Sequence, residues 1–213
     1  VKIIDLDTWD RAERFRFFNS MDYPQYNICA NLDITGFLPS IKAMRLSFYG
    51  AMIFAAARML NQIPAFRYRI RDQQVVLHEQ THPSFTSLPS GSDLFKIVTV
   101  ELEASLVDFA AKAKQQAAEQ DCFISPGVAA RDDLIYITCI PWVSFTHISH
   151  PISLTPGDSA PRVSWGKYYQ AGEQILMPFS VQAHHALVDG IHIGQYINGL
   201  QAYLDEFNRG CAT

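Results

Sequence analysis

The residues best suited to chemistry lie late in the chain, in Val181-Gln182-Ala183-His184-His185-Ala186-Leu187-Val188-Asp189-Gly190. Side chains alternate along a strand, so adjacent His184 and His185 must face opposite ways. They cannot share one metal ion without distortion; one is expected to be reactive and the other packed. An imidazole, which titrates at about pH 6.5 when unperturbed, suits a general base at neutral pH. Asp189 stands at the entry to a helix, where unpaired N–H groups favour a carboxylate. The same pattern also fits a buried histidine pair followed by a capping aspartate, so residue types alone yield a candidate general base. A zinc site drawing on His192 or His147 lacks any H-E-x-x-H or comparable ligand spacing, and no metal is expected. A serine-hydrolase reading lacks the G-x-S-x-G elbow.

The segment sits where a predicted strand, Ile175 to His184, meets the last helix. In that helix Ile193, Tyr196, Ile197, Leu200, Tyr203, Leu204 and Phe207 recur at three-then-four spacing, one buried face, with Gly210 as the expected C-terminal cap. Upstream, a helix is predicted over Trp9 to Phe18 with Asp7 or Thr8 as its N-cap, and a strand over Asn27 to Ile34. Helices follow at Phe37 to Leu46 and Phe48 to Gln62, the second apolar on most faces and so deeply buried. Phe66 to Ile70 and Gln74 to His78 read as a hairpin turning at Arg71, Asp72 and Gln73. Phe95 to Leu102, Leu134 to Trp142 and Arg162 to Tyr169 read as strands, and Ser105 to Gln120 as a helix. Intermixed strands and helices without a linker or repeat predict one α/β domain, residues 1–213, with a mixed sheet.

Composition narrows the function classes. The 213 residues carry a net charge of −4 and are 48% hydrophobic. That balance argues against a nucleic-acid surface, which needs clustered Lys and Arg. The most apolar run, Ala51 to Ala57, is far shorter than the 18 or so residues of a membrane span. Asp5, Asp7 and Asp10 interrupt any apolar leader. Cys29, Cys122, Cys139 and Cys211 lie far apart without CxxC spacing and read as reduced thiols of a cytoplasmic protein.

The segment QAHHALVDGIHIGQYINGLQ resembles the active-site signature of the chloramphenicol acetyltransferases. The resemblance extends along nearly the whole chain in the same order: Trp9-Asp10-Arg11-Ala12-Glu13-Arg14-Phe15, Asn31-Leu32-Asp33-Ile34-Thr35, Ser47-Phe48-Tyr49, Pro141-Trp142-Val143-Ser144-Phe145, Gly166-Lys167-Tyr168-Tyr169 and Met177-Pro178. It implies a two-layer α/β sandwich, a mixed sheet flanked by helices, assembled as a homotrimer with active sites between subunits. It implies acetyl-CoA as co-substrate and antibiotic resistance as the outcome. His185 would take the proton from the acceptor hydroxyl, whose oxygen attacks the thioester directly. Asp189 would pair with Arg11 to hold the loop, while Thr138, in place of the family's serine, would donate to the developing oxyanion. Ser164 would help hold the intermediate through water. Tyr49, Lys167 and Tyr168 match positions near coenzyme A, whereas Ser47 stands where relatives carry a lysine.

For the acceptor, the resemblance implies a mostly apolar pocket including Phe17, Phe18 and Phe95, with Tyr26 nearby. Asp22, Ile148 and His150 depart from it, and a carboxylate buried against a neutral drug costs several kcal/mol unless paired. Three functions follow as expectations: chloramphenicol O-acetylation, the same transfer to another small hydroxyl compound, and non-catalytic ligand binding by a trimer. Acyl transfer to a lipoyl thiol ranks below these, for want of a lipoyl or linker segment. Neither nucleic acid nor membrane is an expected partner.

Overall fold

The computed structural model describes residues 1–154 and 157–210, the last three by their backbone alone, and Cys211 lies outside them. A short strand β1 (Lys2–Ile4) leads into helix α1 (Ala12–Asn19). That helix begins three residues later than the apolar spacing predicts. Trp9 is drawn out of it to pack on Phe15 and Tyr68, with ring centroids 6.0 and 5.1 Å away. Arg11 becomes the N-cap residue without a side-chain cap, because its guanidinium is held elsewhere. Strand β2 (Gln25–Asp33) and helices α2 (Phe37–Ala43) and α3 (Phe48–Asn61) follow. Ser47 accepts a hydrogen bond from Gly50 N–H as the α3 cap, which gives this serine a structural role of its own.

The hairpin pairs β3 (Tyr68–Arg71) with β4 (Gln74–Leu77), turning on Asp72 and Gln73, both at positive φ as a two-residue hairpin loop requires. Phe66, expected in the first strand, lies instead in a 3₁₀ turn over Pro64–Arg67. Strand β5 (His82–Ser87) is not among the predicted strands, and it pairs on both sides although it contains Pro83. Next come β6 (Lys96–Thr99), α4 (Leu106–Glu119), capped by Ser105, and β7 (Leu134–Ile140). The chain closes with β8 (Arg162–Gly166), β9 (Tyr169–Ala171), β10 (Gln174–His184) and α5 (Gly190–Gly210). Gly210, expected as a cap, therefore falls within the helix.

The main sheet runs β2-β10-β8-β7-β5-β6, with β9 against β10, while β1, β4 and β3 make a smaller sheet. β7 lies parallel to both β5 and β8 and the other pairs are antiparallel, so the sheet is mixed as predicted. One face carries Leu32, Phe85, Ile137, Val163, Trp165, Phe179 and Val181 into a core shared with α3 and α5. The opposite face is polar: Asn27, Thr138, Ser164, Ser180 and Gln182 alternate with those core residues along their strands. Among the described residues no helix is long and apolar enough to cross a membrane.

Gly166 ends β8 beneath the segment carrying Trp142. A Cβ there would come within 2.6 Å of the Val143 carbonyl oxygen and 3.0 Å of the Phe145 ring. Gly166→Ala is expected to destabilise the fold by about 1–3 kcal/mol through overpacking, read as a lower midpoint in thermal denaturation. An unchanged midpoint would show that the segment yields freely.

Candidate active site

β10 delivers the two histidines and its pleat separates them. His184 is 3% exposed, and burial pushes its imidazole down to about 4, so it is neutral and packed. Its Nδ1 accepts a hydrogen bond from Ala186 N–H. His185 follows the last residue of the strand, with its N–H donating to the Pro24 carbonyl at 2.7 Å. Its ring lies between Phe18, 3.9 Å away at an interplanar angle of 7°, and Tyr26, 4.4 Å away. The His185 side chain is 33% exposed although its Nδ1 is sealed from solvent. The outer edge of the ring, which carries Nε2, is thus the open part.

Arg11 sits behind this turn. Its Nε donates to the Ala186 carbonyl and its Nη2 to the His185 carbonyl, both at 2.9 Å. Nη1 and Nη2 grip the two oxygens of Asp189, a fork-to-fork pair. One guanidinium therefore pins both carbonyls of the turn to the carboxylate that follows it. The Arg11 hydrogen bonds hold the Asp189 carboxyl below the usual carboxylate range. Asp189 also lies 3.3 Å from His185 Nδ1 without the alignment of a hydrogen bond. Asp189 precedes α5 as predicted, and its carboxylate pairs with Arg11, as the resemblance implies, rather than capping the helix N–H groups. The reciprocal cap runs the other way, with Asp189 N–H donating to His192 Nδ1 at 2.9 Å. Tyr26 closes the cluster, its hydroxyl on the Val188 carbonyl at 3.3 Å and its phenol held well above its ordinary range, chiefly by burial.

Thr138 and Ser164 form a second group. They are register partners on β7 and β8, so they share the polar face. Ser164, fully buried, lies 2.7 Å from His150 Nε2, and His150 N–H donates to Gln182 Oε1 at 2.9 Å. Ile148 is held two residues earlier by Asn27, which donates to its carbonyl. The two groups do not meet within the chain. Thr138 is level with Ser180 on β10, roughly 16 Å along that strand from His185 and about 10 Å across two strand spacings.

A family model described as Chloramphenicol acetyltransferase matches residues 1–201. The chain belongs to the chloramphenicol acetyltransferase family. It is 33% identical over 210 residues to a chloramphenicol acetyltransferase of Klebsiella sp, covering 97% of this chain and 95% of the relative. A solved chloramphenicol acetyltransferase structure superposes with a TM-score of 0.88 at 25% identity, over 95% of this chain and 99% of that one. A probable dihydrolipoamide acetyltransferase from Listeria monocytogenes shares the fold at a TM-score of 0.66 and 13% identity, over 100% of this chain and 98% of that one.

The other site residues expected of a chloramphenicol acetyltransferase are scattered. Tyr49 donates its hydroxyl to the Thr86 carbonyl at 2.6 Å and packs on Phe85 and Trp165, so its polar end is already used. Lys167 and Tyr168 are exposed just after β8, with Tyr168 edge-on to Phe48. Phe18 stacks on His185, Phe17 packs edge-on against Phe18, and Phe95 packs against Phe123 on another part of the surface. Asp22 is exposed at the rim of a cavity of about 370 Å³ shared with Gln25, Asp72, Asp158 and His184. It meets water, and the burial cost that made it anomalous does not arise. Sequence reading missed the roles of the Pro24 carbonyl and His192. A backbone acceptor has no residue-type signature, and the residue types around His192 raised only a zinc ligand, not a partner for the Asp189 N–H.

Proposed function

We propose that this single domain is an acetyl-CoA-dependent O-acetyltransferase that acetylates chloramphenicol and so confers resistance to it. The observation that carries the reading is His185 braced by Arg11 and Asp189 with its Nε2 edge open. His185 Nε2 takes the proton of the acceptor hydroxyl, and the oxygen forms a bond to the thioester carbonyl carbon. The C–S bond then breaks, and the departing sulfur takes the proton from the imidazolium to leave as the thiol. Thr138 donates to the carbonyl oxygen while it carries negative charge, with Ser164 beside it. Lys167 and Tyr168 contribute an ammonium and an aromatic face to coenzyme A.

Because Thr138 and His185 of one chain stand too far apart to touch one reacting centre, the reading requires a second copy to complete the site. A homotrimer with sites between subunits meets that need. Trp142, 67% exposed, together with exposed Phe17, Tyr23, Leu94 and Val143, offers apolar surface for such contacts. The cytoplasm suits the free thiols of Cys29, Cys122 and Cys139 and the supply of acetyl-CoA. The polar His150–Ser164 pair supports a second reading, the same transfer to a different small hydroxyl compound.

Thiol release from acetyl-CoA with chloramphenicol as acceptor, with the acetylated product identified by mass spectrometry, tests the reading. Release with another hydroxyl acceptor alone would move the assignment to the second reading, and no release with any acceptor would end both. Thr138→Ala is expected to lower kcat about 10²-fold, as for loss of one oxyanion donor. A wild-type rate in that variant would remove Thr138 from the mechanism.

A further inference from the structure

The polar face of the sheet holds a hydrogen-bonded chain whose proton positions can be worked out from its surroundings. Ser164 is fully buried, and its hydroxyl has one partner among the described residues, His150 Nε2 at 2.7 Å. A buried hydroxyl proton left without an acceptor costs about 1–3 kcal/mol, so the Ser164 hydroxyl donates to Nε2. Burial and the nearby charge of Arg162 hold His150 below the ordinary histidine range. The ring is therefore neutral at pH 7, and a neutral imidazole that accepts at one nitrogen must carry its proton on the other. His150 N–H on Gln182 Oε1 fixes the backbone beneath the ring. Nδ1 has no partner among the described residues, yet it is absent from the atoms sealed from solvent. One N–H thus stands unpaired and accessible, beside Ser164 and Thr138 on the same face.

We propose that His150 Nδ1–H is a specificity-determining donor that selects hydroxyl acceptors bearing a neutral oxygen, such as a carbonyl or nitro group, over plain alcohols. This rests on the acetyl-transfer reading of the site and deepens it by naming the acceptor class. It also changes the role of Ser164. The serine proton holds the His150 tautomer, so Ser164 is a positioning residue and Thr138 is the donor to the reacting oxygen.

Steady-state acetyl transfer to chloramphenicol and to 3-phenyl-1-propanol tests the specificity. His150→Leu is expected to lower kcat/KM for chloramphenicol about tenfold more than for the plain alcohol, one net hydrogen bond, with the loss in KM. His150→Asn, which can place an amide N–H near the Nδ1 position, should restore part of the preference. Equal losses for both acceptors, or a loss confined to kcat, would overturn the assignment. Nitrogen-15 NMR of the wild-type imidazoles reads the tautomer without turnover: protonated Nδ1 and bare Nε2 at His150 are expected, with a mixture in Ser164→Ala. Protonated Nε2 in the wild type would overturn it even if the kinetics agreed. A correct tautomer in a protein that acetylates neither compound would instead refute chloramphenicol as the acceptor and, with it, the specificity.

Discussion

Replacing His185 with Ala is expected to lower kcat for acetyl transfer by about 10³- to 10⁴-fold, the upper range for a positioned general base. The expectation rests on how fully the ring is placed. Phe18 and Tyr26 fix its plane, the Pro24 carbonyl fixes its backbone, and Nδ1 faces inward. His184 cannot substitute: it points away from His185, is buried, and already accepts from Ala186. The loss should fall on kcat, since proton removal is a transition-state interaction. Acetyl-CoA binding, followed by calorimetry, should persist in the variant. A loss smaller than about tenfold would remove His185 as the base.

The second large effect is expected from Arg11→Ala. The substitution deletes four hydrogen bonds at once, leaving the carbonyls of His185 and Ala186 and both oxygens of Asp189 without their partner. The Arg11 side chain is 11% exposed and that of Asp189 30%, so the pair is partly screened. The loss should therefore lie near or below the low end for a broken buried pair, about 2–3 kcal/mol by urea denaturation at pH 7. A turn displaced by about 1 Å misaims the imidazole, and kcat should fall about 10²-fold.

The pair also has a pH signature. Asp189 titrates lower in the folded protein than in the unfolded chain. Its contribution is complete above the unfolded carboxyl range, about pH 4, and disappears as pH falls through the depressed folded value. Arg11→Ala should flatten that acid loss. Arg11→Lys should rescue little, because an ammonium cannot span two carbonyls and both oxygens of a carboxylate. An Arg11→Ala protein with wild-type kcat would show that the turn holds without its brace.

The reach of local pattern explains which parts of this molecule were readable. The spacing of Ile193, Tyr196, Leu200 and Leu204 is a repeat within one helix, and all four are buried in the core. The opposite facing of His184 and His185 follows from the pleat alone: His184 is buried and His185 partly open to solvent. β5 escaped because a strand paired on both sides needs no alternation, and Pro83 can sit in it while its carbonyl accepts from Val100. The start of α1 shifted because Trp9 and Arg11 are claimed by residues far along the chain, Tyr68 and Asp189.

Within the site the division runs along the same line. The amino-acid order determined the family, the strand-to-helix junction and a base candidate at its tip, since these depend on residue type and near spacing. Only the tertiary structure decided that Arg11 also takes the carbonyls of His185 and Ala186, that Tyr49 turns its hydroxyl to Thr86, and that His150 closes on Ser164. The tertiary structure also set Thr138 and His185 of one chain apart. Each of these is a contact between segments brought together by sheet order and packing, and hydrogen bonds of that kind leave no period in the sequence.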